Sequence, residues 1–246
     1  MNVDSHDSSN PYNAAYTLTY GLLALFGGVG GLIVAHRWGG FKSLIGRALS
    51  AFALGLLAQE FGQLVYNYHI YVLDTEPYPS LGDVGFFGSV LFYIYGIWLL
   101  AQAAGLRVAL KSHRNKLLLI VIPLIFLSIS FSVFLREYEF DWSNPLTIFL
   151  DFGYPVFQTL YVSIAALTFI VSRKYLGGVM RPAILMLAGA LTLQYICDFT
   201  FLYQVSHEAW YAGGWNDYLY TLSYAVMGLS LLRFGTVFSE IRKIDR

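Results

Sequence analysis

Fourteen of the chain's fifteen Lys and Arg residues stand in four short places: 37–47, 107–116, 173–181 and from Arg233 to the C-terminus. Between those places run apolar stretches long enough to cross a bilayer, which takes roughly 20 predominantly apolar residues. Basic residues gather on the cytoplasmic side of membrane-spanning helices. The pattern therefore predicts an all-α bundle of seven transmembrane helices, with the N-terminus outside and the C-terminus in the cytoplasm. The lipid bilayer is the partner this arrangement demands.

Charged residues make up only 12% of the chain, about half the share typical of a soluble domain. Seven spans with short connections use almost the whole length. Residues 1–246 thus read as one membrane domain, with a polar outer tail at 1–14 and a cytoplasmic tail at 235–246. The N-terminal segment lacks the basic region of a cleavable signal peptide, so the first span is expected to be retained. Topology accounts for the basic residues, and nothing supports nucleic-acid binding. Cys197 is the one cysteine, which leaves no disulfide framework within the chain and no cysteine-based metal motif.

The expected spans are Ala15–Ala35, Leu44–Asn67, Leu81–Ala104, Leu117–Leu135, Pro145–Val171, Pro182–Gln204 and Asn216–Phe234. Their outer connections are His69–Ser80, Arg136–Asn144 and Val205–Trp215. Ser80 and Asp83 are spaced as a capping box that opens the third span. Asp217 stands at the start of the seventh, where an acid favours the helix dipole. An Asp-x-x-aromatic pattern recurs in three spans, at Asp83/Phe86, Asp151/Tyr154 and Asp217/Tyr220.

Acids inside the spans carry the chemistry. Glu60 and Asp198 each lie about 10 Å from the outer end of their helix at 1.5 Å per residue, and Asp151 lies two turns into its own. Placing an Asp at the centre of a membrane helix costs about 3 kcal/mol on the insertion scale. No Lys or Arg lies deep in any span to neutralise these groups. Their neighbours are polar at helical spacing: Gln59, Gln63 and Tyr66 in the second span, Asp151, Tyr154, Gln158 and Tyr161 in the fifth. Gln194 and Asp198 are four apart in the sixth, and Asp217, Tyr220 and Tyr224 follow in the seventh. Residues three, four and seven apart share a helix face, and polar faces turn away from lipid. The expected site is an outward-facing pocket built from Glu60, Gln63, Asp83, Asp151, Tyr154, Gln158, Gln194, Asp198, Asp217, Tyr220 and Tyr224. Carboxylates framed by tyrosines suit a proton, a small cation or an amine held by cation–π contacts. The competing reading makes the acids helix caps and interhelical glue and the tyrosines interior filler.

Enzymatic chemistry has no visible support. His36 and His113 fall in cytoplasmic loops and His69 and His207 at the outer surface, so no histidine sits at mid-membrane as a haem ligand. His69, His207 and Glu208 have metal-ligand chemistry but are scattered over two loops. The clustered His and Asp ligands of seven-helix zinc hydrolases are missing, as is a nucleophile–His pair. No lysine stands in any span to carry retinal as a Schiff base, although a noncovalent chromophore stays open. The expectation is no catalytic residue, no metal and no cofactor.

Four segments form a recognisable set: PYPSLGDVGFF at Pro77–Phe87, LDFGYP at Leu150–Pro155, CDF at Cys197–Phe199 and GWNDYLYTLSYAVMGL at Gly214–Leu229. Together they resemble the seven-helix N-terminal sensory membrane domains of bacterial diguanylate cyclases, phosphodiesterases and histidine kinases. The resemblance implies a sensory input role, with Pro79, Ser80, Asp83, Asp151, Tyr154, Pro155 and Asp198 at the matching positions. It departs from the family after the last span, where only GTVFSEIRKIDR follows and no output domain. A sensor of this form needs a longer parent chain or a separate cytoplasmic signalling partner. Two other classes compete: a proton- or cation-coupled carrier relaying through Glu60, Asp151 and Asp198, and a structural subunit of a membrane complex. The inner halves of three spans, Leu54–Ala58, Ser163–Ile170 and Ile184–Leu193, offer only Ser163, Thr168 and Thr192 as polar side chains. That composition predicts a closed floor, and binding without transport.

Overall fold

The computed structural model describes residues 11–75, 78–136, 138–175 and 179–244, with the side chains of all these except 171–175 and 244. They are all-helical, and seven helices are long and apolar enough to cross a membrane. Helix α1 runs Pro11–Arg37 with a break at Tyr20 and Gly21. Helix α2 covers Leu44–Tyr68 and ends in a π turn, His69–Leu73. Helix α3 is Leu81–Ala103, and α4 is His113–Ser130 followed by a π turn, Phe131–Leu135. Helices α5, α6 and α7 span Pro145–Tyr175, Met180–Ser206 and Trp215–Ile244.

The helix starts follow local chemistry. Ser43 caps α2 by accepting from the Gly46 amide at 2.8 Å. The expected capping box opens α3: Ser80 accepts from Gly82, and Asp83 accepts from the Ser80 amide at 2.7 Å. Two boundaries differ from the sequence expectation. Residues 11–14, read as part of a polar tail, belong to α1; residues 1–10 of that tail lie outside the described residues. The tail expected at 235–246 is instead helical as far as Ile244. The reason is packing. Val237 is buried and Ile241 packs on the same core, while Trp38 Nε1 donates to the Phe234 carbonyl at 2.9 Å. The Trp38 ring also lies against Phe238, whose other neighbour is the Arg242 guanidinium at 5.1 Å.

Six helices close a ring in the order α1, α2, α3, α5, α6, α7, with α7 packed back on α1. Helix α4 stands outside it, against α5, and meets α6 through its π turn and through the Phe126 ring on Tyr195 at 5.1 Å. It is the most hydrophobic of the seven and buries only Asn115 and Ser130, as an element facing hydrocarbon on most sides must. Apolar side chains gain little by meeting each other in lipid, so close backbone approach and dispersion decide which helices pair. Glycines provide that approach. A Cβ added to Gly27 would lie 3.0 Å from the Gly228 Cα across α1 and α7. One added to Gly85 would meet the α2 backbone at 2.5 Å from the Ala58 carbonyl oxygen and 2.6 Å from the Gly62 nitrogen. The α2–α3 contact brings two polar faces to one interior space. Toward the basic segments that space is filled by Phe52, Leu56, Ile97, Leu187, Leu191 and Met227, all fully buried.

Candidate functional site

A cavity of about 560 Å³ opens among α2, α3, α5, α6 and α7. It lies at the end of the bundle that carries the connections 69–80, 136–144 and 205–215, opposite the basic segments. Nine of the eleven residues singled out in the sequence line it: Gln63, Asp83, Asp151, Tyr154, Gln158, Asp198, Asp217, Tyr220 and Tyr224. Glu208 adds a fifth carboxylate, and no Lys, Arg or His is among the described lining residues.

Each carboxylate is held by neutral donors. Asp83 divides its work between its oxygens. Oδ2 accepts from the Ser80 amide as the helix cap, and Oδ1 accepts from the Tyr154 hydroxyl of α5 at 2.8 Å. Capping and cavity lining, posed as alternatives by the sequence, are both present. Asp151 accepts from the hydroxyls of Tyr78 at 2.6 Å and Tyr138 at 2.7 Å, both on connecting segments. Burial, and then the hydrogen bond to Asp151, hold the Tyr78 phenol well above its usual range and push Tyr138 up to about 12. Both phenols therefore stay protonated donors at neutral pH. Outside the cavity, hydrogen bonds from the Ser143 hydroxyl and the Asn144 amide keep the Asp141 carboxyl below the usual carboxylate range.

Asp198 lies well inside α6 and is 5% exposed. It accepts from Tyr161 at 2.6 Å, Tyr220 at 2.9 Å and the Gln194 amide at 2.9 Å. Gln194 was expected to line the pocket and does not. Its nitrogen is committed to Asp198 and its oxygen accepts from Ser223 at 2.8 Å, so it stands behind Asp198 and fixes that carboxylate's orientation. Asp217 accepts from the Gly213 amide at 2.7 Å, closing the turn before α7 while still bordering the cavity.

Glu60 is the main correction. One residue along a helix turns a side chain by about 100°, and Gln59 and Gln63 take the cavity side of α2. Glu60 is thereby carried round to α1. Its carboxylate packs on the Gly21 Cα at the break in that helix, where a Cβ would overlap Oε2. It is 6% exposed, and Oε2 is buried without a hydrogen-bond partner. A joint pocket of Glu60 with Asp151 and Asp198 is therefore not formed.

The polar face of α2 instead ties the ring together. Gln59 donates to Ser89 at 2.8 Å and accepts from Tyr224 at 3.1 Å. Gln63 accepts from Tyr20 at 2.7 Å and donates to Asn67, which donates to the Thr17 carbonyl. Sequence reasoning missed Tyr20, Tyr78, Glu208 and Trp210 as lining residues. For Tyr78, Glu208 and Trp210 the signal was the aromatic and acidic richness of the connections, which an interfacial belt explains equally well; Tyr20 lies within the first span, where nothing marked it.

His69, His207 and Glu208 form no joint site: among the described residues no three His, Cys, Asp or Glu side chains gather closely enough to hold one metal ion. His69 pairs with Thr75 and His207 with the Tyr203 carbonyl. Comparison of the chain with protein-family models, with curated proteins and with solved structures finds no match in any of the three.

Proposed function

We propose that this protein is a receptor-like membrane sensor that binds a small cationic ligand in the cavity from the outer face of the membrane. The carrying observation is the lining itself: five carboxylates, tyrosines and other aromatics in the walls, and no basic side chain. Acceptor-only carboxylates beside aromatic faces attract ammonium groups by charge and by cation–π contact. The sensory part of the reading is supported by the resemblance, since Ser80, Asp83, Asp151, Tyr154 and Asp198 all border the cavity. Helix α7, continuing to Ile244 under the Trp38 clamp, would present the ligand state to a cytoplasmic signalling partner.

The charge pattern sets the direction of entry. A reporter fused after Arg246 is expected to read cytoplasmic, and one inserted in 136–144 external. The reverse outcome would open the cavity to the cytoplasm and remove the outside ligand.

Binding is testable with the purified protein in detergent. Ammonium compounds are expected to raise its melting temperature, by an amount equivalent to about 2.7 kcal/mol at a hundredfold excess over Kd. A flat response to every ammonium compound would sink the reading. The carrier alternative needs a way through the apolar floor of Phe52, Leu56, Leu187 and Leu191. Proteoliposomes are accordingly expected to show no proton or cation flux, and robust flux would decide for the carrier.

A further inference from the structure

The cavity's charge is distributed, and that constrains what can neutralise it. Five carboxylates border one space, yet among the described residues no three acid, imidazole or thiol groups converge on a point. One compact metal ion cannot collect such ligands. Helix α5 shows how the charges are spaced. Its Tyr154 hydroxyl holds Asp83, and its Tyr161 hydroxyl holds Asp198. Those two tyrosines are seven residues apart on one face, which separates the two stations by about 10 Å along the axis.

Gln158 lies between them on the same stripe, four residues after Tyr154 and three before Tyr161. It is 5% exposed, lines the cavity, and makes no hydrogen bond to any described residue. Its amide nitrogen and oxygen are not among the buried atoms left without a partner, so they open onto the cavity and are free to meet a ligand. Its carbonyl can accept from an N–H. The tyrosines that donate to the acids also keep oxygen lone pairs free to accept from a ligand. The sequence of groups along α5 is thus acid station, amide acceptor, acid station, with Phe86, Phe201 and Trp210 supplying apolar wall.

We propose that the ligand is a linear triamine of spermidine length. One terminal ammonium sits at Asp83 and Asp151, the other at Asp198, and the central nitrogen donates to Gln158, with the methylene links against the aromatic wall. This rests on the cationic-ligand reading above and narrows it to a spacing.

The test is calorimetric titration of the purified protein with spermidine, putrescine, n-butylamine and magnesium chloride at constant ionic strength. Spermidine is expected to bind at least about tenfold more tightly than putrescine, which cannot span both stations, since each charge-assisted hydrogen bond is worth that much or more. Gln158→Leu should weaken spermidine about tenfold and weaken n-butylamine, which has no central nitrogen, by less. Putrescine or n-butylamine binding as tightly as spermidine would overturn the triamine while leaving the cation site standing. Magnesium matching spermidine would reduce the effect to bulk charge and overturn it as well. Binding by none of the amines would remove the cation site and the triamine together. Undiminished spermidine binding in Gln158→Leu, with the variant's melting temperature intact, would overturn the role of the central nitrogen.

Discussion

Asp198→Leu is expected to lower the stability of the bundle by about 3 kcal/mol or more and to abolish ammonium-dependent stabilisation. The stability loss follows from the donors it orphans. Tyr161 is fully buried, and Tyr220 and Gln194 also aim at the same carboxylate. Each buried donor left without an acceptor costs about 1–3 kcal/mol. Asp198→Asn separates binding from folding. Its amide keeps the shape and one acceptor, but its nitrogen then faces donors. Gln194 cannot simply turn over, because its oxygen already accepts from Ser223. The Asn variant should therefore fold with a smaller loss and still fail to bind ammonium compounds. Thermal unfolding with and without spermidine reads both effects. A Leu variant as stable as the wild type would mean the phenols find other acceptors. A variant that still responds to spermidine would move the cation away from the deep station.

Glu60→Met is expected to act in the opposite sense. The substitution removes a buried carboxyl oxygen that has no partner, and a buried polar group left unpaired costs about 1–3 kcal/mol. Met is flexible enough to lie along the Gly21 Cα where the carboxylate now packs. The variant should melt at the wild-type temperature or above, and should bind ammonium compounds undiminished, because Glu60 does not border the cavity. The same two measurements apply. Loss of binding would return Glu60 to the site, and a clear drop in melting temperature would reveal a stabilising partner for it. Set beside Asp198, this is a sharp contrast between two deep acids on paper equally placed in their helices.

That contrast marks where sequence reasoning stops. Glu60 and Asp198 look alike along the chain: each is deep, acidic and within one helical turn of a glutamine. Helical periodicity assigned Gln59 and Gln63 to a polar face correctly, and it placed Asp151, Tyr154 and Gln158 on one stripe. It could not say on which side of that face Glu60 would fall, since a neighbour at 100° can border either the cavity or the next helix. Gln194 failed for a related reason. Sharing a face with Asp198 made it look like a lining residue, but its i,i+4 position let its amide be consumed by the carboxylate it was grouped with.

Some features are local and were legible from the residues alone. The spans follow from the transfer cost of each side chain summed over a helix, the capping box from Ser80 and Asp83 three residues apart, and the polar stripes from the 3.6-residue period. Other features needed all the helices at once. Packing decided that α4 stays outside the ring, that α3 meets α5, that Trp38 extends α7 into the presumed tail, and that Tyr78 and Trp210 return from their connections to the cavity wall. The physical reason is that periodicity orients side chains only about their own helix axis. The rotation and order of helices depend on which backbones can approach, as at Gly85 against Gly62 and Gly27 against Gly228, and that is a property of pairs of surfaces.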